Sequence, residues 1–172
     1  YFFVGSGVPI WGLGPDGKLF YTSSQNAKEL ELILRSGDCL RFALEEASEL
    51  KVPFVMGDPL GMLWVGEYAD ITKNMNKMLV LMGPVFPSAA SEKGLEQSLK
   101  ALGVSLEIRK KSIRIMQDIP ILPVPVLDQY IRMLHYATTG STLDMDEVVT
   151  QYTERKEQNS GHEKSFTDYE RE

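Results

Sequence analysis

Between Phe54 and Gly83 the chain presents three strand-like runs in succession, FVMG, GMLWVGEYA and NKMLVLMG, separated only by the turn Asp58-Pro59-Leu60-Gly61 and the polar connector DITKNMN. Joining parallel neighbours takes a crossover of a dozen or more residues, usually a helix, and neither connection offers one. The three runs therefore read as neighbouring antiparallel strands. A sheet in which strands and helices alternate one for one is excluded for this stretch.

The flanking segments extend that reading. VPIWGLGPDGKLFYTS forms a hairpin around GPDG, where Pro15 supplies the fixed φ of the second turn position, Asp16 tolerates the third and Gly17 suits the fourth. Ser24 is placed to cap QNAKELELILRS, with Ala27, Leu30, Ile33 and Leu34 at helical spacing and Gly37 at its end. CLRFALEEASELK repeats the pattern through Cys39, Phe42, Ala43, Ala47 and Leu50 as far as Pro53. After the sheet, Ser91 and Gly103 bracket one helix, and Ser105 and Pro120 bracket another whose apolar side is Ile108, Ile115, Met116 and Ile119. Prolines 120, 123 and 125 predict a short extended link into a last helix carrying Leu127, Ile131, Leu134 and Thr138, closed by Gly140. The expected class is α+β: a single antiparallel sheet of about five strands flanked by helices, with further helices at the C-terminal end. Residues 1–140 form the domain, and 141–172 a helical connector and charged tail.

Charge and composition narrow the function. A net charge of −6 argues against a broad phosphate-binding surface, so this stretch is not expected to grip DNA by itself. The longest purely apolar run, Met78 to Met82, is far too short to span a bilayer, and no signal-like segment opens the chain, so a cytoplasmic protein is expected. One cysteine, Cys39, excludes an internal disulfide and any cysteine-based metal cage. The chain opens on Tyr1 in the strand-like YFFV and ends in a charged run low in aliphatics, which points to a module of a longer protein.

The search for chemistry is largely negative. His135 and His162 belong to no metal-binding pair on one helix face. Asp144, Asp146 and Glu147 read as a negatively charged helix start, which the helix dipole favours. GSGVPIWG and GPDGK lack the glycine spacing of nucleotide loops, and Cys39 begins an apolar helical stripe where a thiol acts as a small hydrophobe. No catalytic set, metal site or cofactor is expected.

What remains is a set of large, adaptable apolar residues: Trp11, Phe42, Met56, Met62, Trp64, Met78 and Met82. It suits a ligand pocket between sheet and helices, and it suits an ordinary core as well. Period-two alternation puts Met62, Trp64 and Tyr68 on one face of their strand and Leu63, Val65 and Glu67 on the other. Both faces are thus expected to be covered, one by the chain's own helices and the other by its later helices or a second subunit. Glu67, alone among apolar neighbours, is either an edge residue in water or a polar anchor for something bound.

VPIWGLGPDGKLFYTS, MLVLMGPVFPSAAS and DIPILPVPVLDQYIRMLHYATTG together resemble the N-terminal sensory region of AraC-type transcription regulators from Gram-positive bacteria, with residues 83–88 and 119–140 carrying most of the match. The resemblance implies a PAS- or GAF-like sheet joined through a helical connector to a C-terminal DNA-binding pair of helix-turn-helix motifs. No basic recognition helix follows residue 140 here, so DNA contact would come only through a C-terminal domain absent from this chain. The expected function is a ligand-sensing and dimerisation domain, a homodimer with an unknown small-molecule ligand held by Trp11, Phe42, Met56, Met62, Trp64, Glu67 and Met82. Two alternatives stand beside it: a small enzyme using Glu67 as a buried proton carrier, and a pure dimerisation scaffold. The Gly83-Pro84 corner is expected to stop its strand from pairing further, because Pro84 has no N–H to give.

Overall fold

A computed structural model describes residues 6–70, 77–144 and 146. The opening YFFV, residues 71–76 between the strand ending at Asp70 and Lys77, and Glu147, His162 and nearly all of the expected connector and tail lie outside the described residues. The strands are β1 (Ile10–Leu13), β2 (Leu19–Thr22), β3 (Phe54–Gly57), β4 (Leu63–Asp70) and β5 (Lys77–Val85). They form one sheet in the order β2-β1-β5-β4-β3, and all four pairings are antiparallel. The helices are α1 (Ala27–Ser36), α2 (Cys39–Arg41, continuing as a π-helical turn over Phe42–Glu46), α3 (Glu92–Ala101), α4 (Leu106–Gln117) and α5 (Val124–Thr139). The α+β class and the single antiparallel sheet are as the residue patterns require.

Local signals explain most boundaries. Gly17 N–H donates to the Gly14 carbonyl and closes the hairpin turn. The Ser91 side chain accepts from Gly94 N–H at the start of α3. Gly140 ends α5 in the left-handed region at φ 72°, its N–H on the Tyr136 carbonyl.

Five expectations are corrected. Ser24 does not cap α1: its hydroxyl takes the N–H of Asn26, and Asn26 occupies the cap position. The run from Cys39 is far shorter than its apolar stripe, ending in the π turn at Glu46, well before Pro53. Ile108 faces solvent on α4, while Ile113, absent from the expected stripe, is buried. Pro125 belongs to the first turn of α5 rather than to the extended link, a place where a missing N–H costs little. The Gly83-Pro84 corner, a cis peptide, does not stop the strand, because β5 runs on to Val85, which pairs with Leu63 across a register shift. There the ladder shifts by a bulge-like step instead of breaking.

The central strands of the sheet are buried on both sides. One face, bearing Trp11, Leu13, Phe54, Met62, Trp64 and Leu81, meets α1 and α2 and residues from α3 and α4 in the larger core. The opposite face, with Val65 and Met82, meets α5 through Leu127 and Leu134 in a smaller one. The corner explains how the chain reaches that second face. Beyond Val85, Phe86 bonds the proline-rich link in both directions, its N–H to the Pro120 carbonyl and its carbonyl from Leu122 N–H. Ile119 lies in the larger core and Leu122 in the smaller, so the pinned link carries the chain from one face to the other.

Gly66 shows how closely the larger core is fitted. A Cβ there would stand 2.5 Å from Cζ of Phe54, whose ring occupies the space. Gly66→Ala is therefore expected to destabilise the fold by about 1–3 kcal/mol, read as a lower urea midpoint with unchanged slope. An unshifted midpoint would mean that the ring moves aside freely.

Candidate functional site

Strand parity, read along β4 and β5, divides the expected ligand residues between the two faces. Trp11, Met62 and Trp64 lie in the larger core, fully buried, with Met56 buried and Phe42 half-buried beside them. Met82 belongs to the opposite core, and Glu67 projects to that side too. The set is therefore not one pocket.

The tryptophans are fixed by their own chain. Their rings are 5.6 Å apart at a tilt of 57°. Trp11 Nε1 donates to the Gly83 carbonyl at 2.8 Å, and Trp64 Nε1 donates to Asp58 Oδ2 at 3.0 Å. Asp58 is buried at the β3–β4 turn, where its Oδ1 also accepts from the N–H groups of Leu60 and Met62. Burial pushes its carboxyl above the usual range, and these three donors oppose that rise. The sequence marks Asp58 only as a turn residue; its second role, as the acceptor for an indole six residues away, has no local sequence signal.

Phe42 and Met56 do meet at a cleft of about 480 Å³, between the α2 turn and β3, lined also by Asp38, Cys39, Val55 and Asp58. This volume falls within the usual range of small-molecule sites. Burial, reinforced by the charge of Asp58, pushes the Cys39 thiol up to about 12, so at neutral pH it is a protonated wall group and not a nucleophile. Two other clefts, of about 350 and 160 Å³, open near the start of α1 and beside Phe86.

On the other face stands a polar cluster. Glu67 is 1% exposed, and both of its oxygens are taken by α5: Oε1 pairs with His135 Nδ1 at 2.5 Å and Oε2 accepts from Thr138 Oγ1 at 3.0 Å. Of the two readings open for Glu67, the edge residue in water is therefore excluded, and the partner of the anchored carboxylate is the chain's own helix α5. His135 and Thr138 follow Leu134 and Ile131 on the sheet-facing side of α5. A lone glutamate on an apolar strand face and a histidine on an apolar helix face each need a partner, and that shared need was the available signal. Neither Glu67 nor His135 lines the three clefts described. Among the described residues no group of acidic, histidine or cysteine side chains is placed to hold a metal, and no helix is long and apolar enough to cross a membrane.

Burial raises the Glu67 carboxyl above its ordinary 4.5, while the bonds from His135 and Thr138 partly oppose the rise. A raised carboxyl favours the folded state most at low pH, and this contribution is lost as pH climbs through the folded-state value. The stability of the native protein relative to Glu67→Gln should thus fall as pH rises from about 4.5 and then level off. Asp58 is common to both proteins and cancels. Paired urea titrations across pH 4–8 check this, and a flat difference would refute control by burial.

No family model matches this chain, and neither the curated proteins nor the solved structures contain a match.

Proposed function

We propose that this chain is the ligand-sensing and dimerisation domain of an AraC-type transcriptional regulator, PAS/GAF-like in fold, which works as a cytoplasmic homodimer and reaches DNA through a separate C-terminal domain. The observation that carries the reading is the placement of an apolar cleft and a latched helix on opposite faces of neighbouring strands. Met56 at the cleft pairs with Trp64 on β4, and Glu67, farther along β4, holds α5. A molecule wedged between Phe42 and β3 shifts β3 against β4 and changes the geometry at the latch. It signals only to the extent that it binds one arrangement of α5 better than the other.

A small molecule that raises the Tm of the native protein, and does so less in Met56→Ala, should alter hydrogen exchange at α5 amides when saturating. Unchanged exchange in α5 would defeat signalling by this route. A protein that sediments as a monomer at tens of micromolar would defeat the dimer.

The enzyme reading draws on one observation, the raised carboxyl of Glu67 beside an imidazole. Glu67 is 1% exposed and lines none of the three clefts described, which favours a structural latch over a proton carrier working on substrate. Turnover of any substrate that disappears in Glu67→Gln with the fold intact would reverse that preference.

A further inference from the structure

The cleft between the α2 turn and β3 has an unusual balance of walls. Its apolar residues are Phe42, Val55, Met56 and Pro59, its acidic residues are Asp38 and Asp58, and no lysine, arginine or histidine lines it. Cys39, held protonated, adds no charge.

Asp58 is the decisive group. It is 8% exposed, and its three donors are all uncharged: two backbone N–H groups on Oδ1 and one indole N–H on Oδ2. A carboxylate offers about four acceptor positions, so with three taken one remains, on Oδ2. These bonds hold the carboxyl group in place and bring no positive charge to it. Asp38, at the rim, meets Arg41 in an exposed contact of 3.3 Å, a pair that solvent screens and a ligand displaces at small cost.

Resting on the sensory reading above, we propose that this cleft takes a small apolar molecule carrying an ammonium or comparable cationic group, with Asp58 as the inner charge partner and Asp38 as the outer one. A neutral apolar ligand would strip water from Asp58 and leave its charge uncompensated. An anionic ligand would add repulsion from both carboxylates. A cation reverses both effects and makes charge-assisted hydrogen bonds with a carboxylate already oriented.

Three probes of one shape separate these cases: 2-phenylethylamine, 2-phenylethanol and phenylacetate, titrated into the full chain by calorimetry with amide NMR shifts as the locator. The amine should bind about tenfold or more tightly than the alcohol, phenylacetate should bind weakest, and shifts should centre on Val55, Gly57 and Asp58. Asp58→Asn should erase the advantage of the amine while leaving alcohol binding. If that variant unfolds, Asp38→Asn should reduce the advantage, and rising salt should do so in the native protein. Equal binding of amine and alcohol, or preference for phenylacetate, overturns the cationic class and leaves the sensory reading standing. Binding of none of the three at millimolar concentration, or shifts confined to another surface, removes the cleft as a site and the proposal with it.

Discussion

His135→Ala should lower the unfolding free energy by about 3 kcal/mol, because it leaves the fully buried Glu67 carboxylate with one of its two partners missing. For a chain of this size the loss appears as a fall in Tm of about 10 °C. The sharper test is the pair of substitutions Glu67→Leu and His135→Phe. Each alone strands a polar group in an apolar setting, whereas together they remove both groups, and swapping a buried pair for apolar side chains is often neutral or stabilising. The double variant should therefore recover most of what either single variant loses. Should it also lose the α5 exchange response to a bound molecule, the pair is kept for movement and not for stability. If the single variants lose less than about 0.5 kcal/mol, the latch is not holding α5.

Gly83→Ala should cost about 3 kcal/mol or more, from backbone strain and overpacking together. Gly83 has φ 135°, outside what side-chain-bearing residues readily adopt, and an added Cβ would stand 2.9 Å from the Leu63 carbonyl oxygen and 3.4 Å from Trp64 Cα. Both neighbours are backbone of the adjoining strand, so neither yields as a flexible side chain would. The Gly83 carbonyl also accepts the Trp11 indole N–H, and displacement of β5 there would disturb the tryptophan pair. A loss of stability with a shifted tryptophan emission maximum is expected. A melting temperature within 2 °C of the native value would show that the strands part easily at the bulge.

The sheet was legible because its evidence is local: Met62, Trp64 and Tyr68 alternate with Leu63, Val65 and Glu67 over a single strand, and the connections between strands are too short for helices. The helix ends were legible where a specific side chain makes them, as Ser91 does, and misread where an adequate-looking residue stood two places too early, as Ser24 does. The Gly-Pro corner misled because the missing N–H of Pro84 forbids one hydrogen bond, not a strand, and the ladder shifts register around it. The latch was half legible. Glu67 announces itself by its parity, but His135 lies 68 residues away, and only packing of α5 on β4 brings the two together. The ligand set was drawn too wide for a related reason, since a list of large apolar residues carries no information about which side of a sheet each occupies until the register is known.

The position of β5 at the centre of the sheet bears on how the chain assembles. β1 pairs with β5, so the N-terminal hairpin has no sheet to join until the last strand is in place, and the Trp11 bond to Gly83 closes across 72 residues. The β3–β4 pair and its Trp64–Asp58 bond form over a short loop instead. Closing a long loop is the slower event. The two tryptophans are therefore clocks for different stages of folding: in refolding after a denaturant jump, Trp64 alone, in a Trp11→Phe protein, reports the early local meander. Trp11 alone, in a Trp64→Phe protein, reports the late completion of the sheet. A ribosome making this chain would hold the hairpin and the first two helices without their partner strand until Val85 had emerged.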